Sequence, residues 1–180
     1  NHKAMNLFAF FKFIKSDIER LSSDNKKINY LMCMHPRFFP VLFIRIAQYL
    51  YQKPLIKPLA QIFTWLNVIL FGLECAPRTK IGYGLLIPHS HGIVIGAIDI
   101  GNHVTIFQGV TLGAKTFDLT FSPETRPSVG HHVTIGAGAK ILGGISLGDH
   151  SVVAANAVVL KTVPKSELVA GIPAKLIKKI

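Results

Sequence analysis

The sequence predicts a mainly β fold, in which a solenoid of short parallel strands follows a small α-helical domain. Two features of the chain indicate this fold. Before Glu74 bulky apolar residues recur at helical spacing, and after Glu74 an aliphatic residue recurs at about every sixth position. A repeat this short cannot bury a core alone, so successive coils must stack around a shared aliphatic interior. Three six-residue faces for each turn of the solenoid predict about four coils.

Residues 5–74 are predicted to form the helical domain, and residues 1–4, NHKA, are interpreted as a cloning remnant. Arg45 lies in the second of three helical segments. Its side chain is either a buried partner of another group or extends past apolar neighbours into water, and we expect the second. The third segment contains an uncharged stretch, 58–73, which is shorter than the roughly 20 residues of a spanning helix and favours a buried or interfacial helix. The three segments are MNLFAFFKFIKSDIERL, RFFPVLFIRIAQYLYQK and PLIKPLAQIFTWLNVILFGL, with prolines near the helix starts.

Residues 75–163 are predicted to form the solenoid. Glycine or another small residue often follows the aliphatic position, and a second small or β-branched residue lies four places beyond it. Residues 115–128, KTFDLTFSPETRPS, break the period and are predicted to leave the coils as a protruding loop. Residues 164–180 form a C-terminal tail. The predicted aliphatic positions are Ile81, Ile87, Ile93, Ile100, Ile106, Leu112, Val129, Ile135, Ile141, Leu147, Val153 and Val159.

Charge and hydropathy restrict the classes of partner. The formal net charge is +11, and the excess of lysine and arginine is spread over both halves of the chain, which argues against a nucleic-acid-binding arm. Hydrophobic residues make up 49% and the mean hydropathy is +0.40, so either an oligomer buries much of the surface or part of it contacts a membrane. The 2 cysteines give no disulfide framework and no metal-ligand spacing. We therefore expect a cytoplasmic protein without a bound metal.

The stretch LLIPHSHGIVIG places His89 and His91 two residues apart within an apolar run. Side chains at positions i and i+2 of an extended chain lie on the same face, so both rings are able to share one side of the solenoid. The spacing alone fits a catalytic pair and also fits solvated or hydrogen-bonded structural histidines.

The repeats VTIGAGAKILGGISLGDHSVVAANAVVLKTVP, followed by AGIPAK, resemble those of the hexapeptide-repeat acyltransferases, which fold as left-handed parallel β-helices. HPRFFPVLFIRIAQYLY, IGYGLLIPHSHGIVIG and TIFQGVTLGAK are similar to the serine acetyltransferase branch of that family. This branch also includes O-acetyltransferases of bacterial surface polysaccharides. The resemblance covers the chain from about Asp17 to Ile180 and implies that the donor is acetyl-CoA.

The resemblance also implies a catalytic histidine and a partner acid. The family's histidine segment falls on PHSHG, which makes His89 the general base, and the acid fifteen residues earlier falls on Glu74. An alcohol is a poor nucleophile at neutral pH, so a base must take its proton as it attacks the thioester, while the carboxylate orients the imidazole. A backbone N–H near Gly113 or Ala114 is implied to bind the oxyanion. Transfer is expected to be direct, without an acyl-enzyme.

The same resemblance implies a donor groove between the subunits of a homotrimer. Gly138, Ala139 and Lys140 lie in the GAGAK segment, and Ala155 and the AGIPAK turn are implied to line the groove for the pantetheine arm. Nearby lysines are expected to meet the phosphates of the coenzyme, namely Lys161, Lys165, Lys175, Lys178 and Lys179.

The acceptor prediction rests on departures from the serine acetyltransferase pattern. Pro88 replaces the aspartate that precedes the family's catalytic histidine, and Thr125 and Arg126 replace an Arg-His pair that contacts serine. These changes would leave a bound zwitterion poorly neutralised. His91 is predicted to occupy the small inward position of its repeat, where it packs or supports the base near the acceptor. Asp24 is a further candidate acid for the acceptor site in the helical domain.

We therefore predict an O-acetyltransferase that acetylates a hydroxyl of a capsular or exopolysaccharide sugar. Arg126 and the positive net charge favour an anionic saccharide acceptor, and the apolar helices favour peripheral contact with the inner membrane, where such polymers are assembled. The alternative is a serine O-acetyltransferase of cysteine biosynthesis. Two further alternatives are a γ-type carbonic anhydrase, whose His-x4-His ligand spacing this chain lacks, and a catalytically inactive trimeric scaffold.

Overall fold

The computed structural model describes residues 6–22, 35–118 and 120–180, and the candidate acid Asp24 lies outside these residues. The Asn6 side chain accepts a hydrogen bond from Ala9 N at 2.8 Å and caps the first helix. Gly72 ends the last helix in the left-handed conformation, with φ 62°, as is common one residue beyond a helix. The helical elements are α1 (Leu7–Leu21), α2 (Phe39–Tyr51), a 3-10 turn (Pro54–Ile56) and α3 (Lys57–Phe71).

Short strands follow α3 and continue almost to the last residue. The strands are β1 (Leu73–Cys75), β2 (Lys80–Ile81), β3 (Ile93–Ile95), β4 (Asp99–Ile100), β5 (Thr105–Ile106), β6 (Thr111–Gly113), β7 (Ser128–Val129), β8 (Thr134–Ile135), β9 (Lys140–Leu142), β10 (Ser146–Leu147), β11 (Val152–Val153), β12 (Val158–Val159), β13 (Glu167–Gly171) and β14 (Ala174–Lys179).

These strands form three sheets that are the faces of a triangular prism. Sheet A has the order β1-β3-β6-β9-β12, sheet B the order β10-β7-β4-β2, and sheet C the order β14-β13-β11-β8-β5. Every pairing is parallel except that of β13 with β14, which closes a C-terminal hairpin. Because successive strands alternate among the sheets, the chain winds as a parallel β-helix, and the predicted fold class, a left-handed parallel β-helix, is confirmed.

The interior of the prism is a stack of aliphatic side chains, as the six-residue period predicts. The predicted register is wrong at one coil, however. Ile95, and not Ile93, is level with Cys75 and Leu112 in the inward stack of sheet A. The step from Ile87 to Ile95 is therefore eight residues long, and the extra residues lie in PHSHG. A count of aliphatic positions misses this insertion because Ile93 and Ile95 are both buried.

Helix α1 is attached to the prism by a buried ion pair. Arg45 on α2 donates to Asp17 on α1 through Nε at 2.8 Å and Nη2 at 3.0 Å. The same guanidinium donates to the carbonyl oxygens of Ile81 at 2.9 Å and Gly82 at 2.6 Å, and Leu85 N donates to Asp17 Oδ1 at 2.8 Å. Burial raises the pKa of the Asp17 carboxyl, and the Arg45 charge opposes that shift. The expectation that Arg45 extends into water is wrong, because a carboxylate and two carbonyl oxygens replace water around it.

The helical segment Pro54–Phe71 remains largely exposed in the single chain. In the described part of the chain it is the one helix long and apolar enough to cross a membrane, with a mean hydropathy of 1.4 over 18 residues, and 17% of it is buried. Leu55, Trp65 and Ile69 are among its exposed side chains. The apolar stretch expected to lie inside the protein or at an interface is thus a surface feature of one chain.

Candidate functional site

His89 and His91 lie on the long corner that precedes strand β3 of sheet A. Neighbouring coils hold the backbone of this corner, because Gly92 N donates to Gly72 O and Gly109 N donates to His91 O, each at 2.9 Å. Both imidazole rings are exposed. The predicted inward position of His91 is wrong, because Ile93 fills the inward place opposite Leu73. The two extra residues of this corner therefore carry His89 outward, away from the core.

Sheet A presents a single file of outward side chains beside this corner. Glu74 lies between the buried residues Leu73 and Cys75, so its carboxylate points away from the core. The parallel register then aligns the outward positions of successive strands, about 4.8 Å apart. This outward column consists of Glu74, Val94, Thr111, Lys140 and Val158.

Glu74 lies outward on the first strand of sheet A, and His89 lies on the corner that leads into the next strand of that sheet, so their pairing stays a prediction. In the described part of the chain no hydrogen bond or ion pair joins them, and both are exposed. Pro88, half-buried, precedes the histidine and offers no charge to a substrate. Sheet A and the corner that precedes β3 therefore carry a carboxylate and an imidazole that are accessible from outside the chain.

Lys140, the fourth residue of the outward column, forms a hydrogen bond with the backbone next to the histidine corner. The Lys140 ammonium donates a hydrogen bond to Gly109 O, and the amide of Gly109 donates to His91 O at 2.9 Å. Lys140 is half-buried. Its side chain thus leans down by one coil, toward the corner that carries His89.

Glycines form the edge of the prism on this side, and their left-handed backbone conformation accounts for them. Gly92, Gly109 and Gly138 all have positive φ, at 73°, 71° and 74°. A Cβ on Gly109 would lie 3.4 Å from Gly138 Cα, and a Cβ on Gly138 would lie 2.1 Å from Asn156 Oδ1. The corner itself therefore requires Gly138, whether or not a donor also passes there.

The remaining predicted donor residues differ in their access to a ligand. The Ala139 side chain is fully buried in the core. Its N–H donates to Gly136 O and its carbonyl accepts from Thr111 N, so Ala139 has no free group with which to contact acetyl-CoA. Ala155 lies exposed on the neighbouring coil. The predicted lysines are all exposed, namely Lys161, Lys165, Lys175, Lys178 and Lys179.

Gly113, which ends strand β6 of sheet A, and Ala114, which follows it, are the predicted oxyanion residues, and both are half-buried. A Cβ on Gly113 would meet nothing within 4 Å. The packing of a single chain therefore does not explain a glycine at this position. Its open space lies on the edge where a bound group or another chain is able to approach the strand.

Arg126, predicted to bind the acceptor, is committed to other groups in the chain. Its Nε donates to Asp118 Oδ2 at 2.7 Å, its Nη2 to Asp118 O at 3.0 Å, and its Nη1 to Gly96 O at 3.0 Å. Thr125 also donates to Asp118, at 2.8 Å. Hydrogen bonds from Thr120, followed by those from Thr125 and Arg126, hold the pKa of the Asp118 carboxyl well below its usual range. Arg126 therefore fixes the loop and does not present a free cation to an acceptor.

Sequence reasoning missed the other members of this loop cluster. The Phe121 ring lies 4.6 Å from the Arg126 guanidinium carbon and 5.1 Å from that of Arg78, and Phe121 has a positive φ of 58°. The loop lies outside the six-residue repeat, so no periodic signal marks Asp118 or Phe121. A short acid-to-arginine spacing within the aperiodic segment is the one available hint.

Neither a cysteine nucleophile nor a metal centre is supported by the arrangement of the described residues. Burial raises the pKa of the Cys75 thiol to about 12, so it is not a nucleophile near neutral pH. Among residues 6–22, 35–118 and 120–180, no group of three or more histidine, cysteine, aspartate or glutamate side chains is placed to hold a metal ion.

Comparison with known proteins identifies the family. The protein-family model described as bacterial transferase hexapeptide (six repeats) matches residues 126–161. The serine acetyltransferase of Synechococcus elongatus is 35% identical over 93% of this chain and 68% of its own length. That of Helicobacter pylori is 38% identical over 83% of this chain and 85% of its own. This chain belongs to the serine acetyltransferase family of hexapeptide-repeat transferases. It is accordingly an O-acetyltransferase that uses acetyl-CoA, as the sequence predicted.

Solved structures of this family have the same fold. The serine acetyltransferase of Neisseria gonorrhoeae superposes with a TM-score of 0.83 at 29% identity, over 94% of this chain and 66% of that chain. A serine acetyltransferase in complex with CoA superposes with a TM-score of 0.81 at 32% identity, over 95% of this chain and 71% of that one. This chain thus spans about two thirds of the length of these family members.

The prediction of a polysaccharide acceptor is wrong. The relatives that match most of the chain, including one from Mycobacterium tuberculosis at 37% identity, are named serine acetyltransferases, which supports the alternative interpretation. Arg126, the residue expected to bind an anionic saccharide, instead forms hydrogen bonds with Asp118 and Gly96 O. Replacement of the residues that contact serine was therefore a poor guide to the acceptor.

Proposed function

We propose that this protein transfers the acetyl group of acetyl-CoA to the hydroxyl of serine. The observation that carries the proposal is the identity of 35% to 38% with serine acetyltransferases, which extends over both the helices and the β-helix. The exposed imidazole of His89 and the outward carboxylate of Glu74 on the adjoining strand are the groups that this reaction requires.

In the proposed reaction His89 takes the proton of the serine hydroxyl as its oxygen attacks the acetyl carbon of the thioester. Glu74 orients the imidazole and stabilises its protonated form. Backbone N–H groups at Gly113 and Ala114 receive the oxyanion of the tetrahedral intermediate. Collapse of that intermediate releases CoA and O-acetylserine, with no acyl-enzyme.

The donor is proposed to lie along the glycine edge of the prism, with neighbouring subunits of a homotrimer forming the other wall. Gly138 and Ala155 leave room for the pantetheine arm, and Lys161 and Lys175 are exposed cations suited to phosphate. The reaction is proposed to take place in the cytoplasm, where acetyl-CoA is available.

The acceptor site must hold the ammonium and carboxylate of serine with groups other than those expected from the family. Pro88 carries no charge, and Arg126 is committed to the loop. His91, exposed on the same corner as His89, remains a candidate acceptor contact. The contacts of serine in this chain therefore differ from the pattern that led to the polysaccharide prediction.

The experiment is an assay of thiol release from acetyl-CoA in the presence of serine. We expect turnover that depends on serine and falls by about 100- to 10,000-fold in His89→Ala. His150→Asn, a histidine substitution on a distant corner, serves as the control and should retain the wild-type rate. Serine-dependent turnover that survives in His89→Ala would contradict the assigned base, and no turnover with serine would contradict the acceptor.

A further inference from the structure

Lys140 places a cation on the face of the prism that carries the proposed reaction. Its ammonium donates to Gly109 O, which lies one coil above the corner that carries His89. The neighbours of Lys140 in the outward column are Thr111 below and Val158 above, and both are uncharged. The ammonium therefore lies beside the glycine edge, one coil above the histidine corner.

No carboxylate within the described residues forms an ion pair with this ammonium. Glu74, the acid of the same column, is three strands away, about 14 Å along the face. The hydrogen bond to Gly109 O occupies one of the three N–H donors of the ammonium. A half-buried cation with free donors and no counter-ion attracts negative charge that arises beside it.

Negative charge arises on the CoA sulfur when the tetrahedral intermediate of acetyl transfer collapses. The carbon–sulfur bond breaks, its electron pair stays on sulfur, and the proton held by the His89 imidazolium passes to that sulfur to give CoA. The leaving thiolate must therefore lie within reach of the histidine corner, on the side where the pantetheine arm arrives along the glycine edge. The Lys140 ammonium lies beside that edge, one coil above that corner.

We propose that Lys140 is a catalytic residue that stabilises the CoA thiolate as it leaves. The inference rests on the proposed acetyl transfer and not on the identity of the acceptor. It gives Lys140 a role in the chemical step, which differs from a phosphate contact. The hydrogen bond to Gly109 O holds the ammonium at this place, so charge and position both contribute.

Three substitutions separate the charge of Lys140 from its structural contact. Lys140→Arg keeps the positive charge. Lys140→Gln keeps an N–H donor that is able to reach toward Gly109 O and removes the charge, whereas Lys140→Met removes both. Lys80→Met is the matched control, because Lys80 is an exposed lysine on a strand of sheet B. Thermal unfolding of each variant identifies any loss of structure.

The first measurement is the ionisation of CoA bound to the enzyme, followed by the ultraviolet absorbance of its thiolate as pH rises. It needs no acceptor, so it stays informative even if serine is not the substrate. We expect the thiol of CoA to ionise about one pH unit lower on the wild type than on Lys140→Gln. Lys140→Arg and Lys80→Met should resemble the wild type, and identical titrations on wild type and Lys140→Gln would overturn the proposal.

The second measurement is steady-state kinetics with acetyl-CoA and the acceptor. We expect Lys140→Gln to lower kcat by about 10- to 100-fold with little change in either KM, and Lys140→Arg to retain most of the activity. If the ammonium held the carboxylate of the acceptor instead, Lys140→Gln would raise the KM for serine and leave kcat and the CoA titration unchanged. That result would overturn the proposal, as would equal loss of activity in the folded Arg and Gln variants.

Discussion

Ile93 occupies the inward place that the six-residue repeat assigns to His91, and Ile95 occupies the place assigned to Ile93. The repeat puts His91 in an inward position, whereas the chain inserts two residues in this corner and turns Ile93 inward against Leu73. Ile93 has no exposed surface, and His91 lies open at the corner. One insertion therefore moves a histidine out of the core and gives His89 its access to substrate.

This register predicts very different effects of two alanine substitutions on stability. Ile93→Ala should lower the free energy of unfolding by about 2 to 5 kcal/mol, because it leaves a cavity in the core. His91→Ala should change it by less than about 0.5 kcal/mol, as expected for an exposed side chain. Chemical denaturation of the two variants measures both quantities, and a larger loss in His91→Ala than in Ile93→Ala would contradict the register.

Residues of the loop illustrate what a sequence leaves undetermined. Asp118 and Arg126 are paired at 2.7 Å, but the segment between them has no period from which a contact could be deduced. Arg126 was assigned to the acceptor because it replaces a family residue there. The position of a side chain in a motif does not reveal whether a neighbour in the fold already accepts its hydrogen bonds. For Arg126 the acceptors are Asp118 and the carbonyl oxygen of Gly96.

At the scale of elements, helix α1 depends on the buried pair of Asp17 and Arg45. The two side chains are 1% and 0% exposed, and the guanidinium also donates to carbonyl oxygens of the first coil. This connection joins α1, α2 and the prism at one point. Helical periodicity predicted both helices, but it gave no information about a partner 28 residues away.

Removal of the Arg45 guanidinium should therefore weaken the attachment of α1 and destabilise the protein strongly. Arg45→Met leaves the Asp17 carboxylate buried without a counter-ion, and we expect the free energy of unfolding to fall by about 3 to 5 kcal/mol. Arg37→Met, at an exposed arginine of the segment that leads into α2, is the control and should be nearly neutral. An equal effect of the two substitutions in chemical denaturation would show that the pair contributes no net stability.

The corner between sheets B and C carries a stack of histidines. The ring centroids of His103 and His132 are 5.0 Å apart, and those of His132 and His150 are 4.8 Å apart. All three residues have positive φ, near 57° to 60°, a conformation in which histidine and asparagine are enriched. Desolvation of the His132 ring lowers its pKa, and positive charge on His150, His103, Arg20 and His131 lowers it further.

This lowered pKa predicts that acid destabilises the corner. The folded chain favours neutral His132, so its contribution to stability is complete above the unfolded pKa of about 6.5 and is lost progressively as pH falls below that value. The melting temperature of the wild type should therefore drop between about pH 7.5 and pH 5. His132→Asn, which suits the same backbone conformation, should reduce that drop. An unchanged pH dependence in the variant would refute the role of the stack.

At the scale of the whole molecule, the prism keeps its reactive groups and its stacked histidines apart. Sheet A carries Glu74, Lys140 and the His89 corner, whereas the stacked histidines lie on the corner opposite that sheet. The six-residue period predicted the coils, because each inward position repeats the same physical requirement. It did not predict the acceptor, which depends on a few contacts that do not repeat.

The acceptor is the central claim, and the chemical identity of the product tests it most directly. Isotopically labelled acetyl-CoA is incubated with serine and the wild-type protein or His89→Ala, and the product is characterised by NMR and mass spectrometry. We predict that the wild type forms labelled O-acetylserine and that His89→Ala forms almost none. Absence of acetylated serine in the wild-type reaction, together with His89-dependent acetylation of a different hydroxyl compound, would contradict the account.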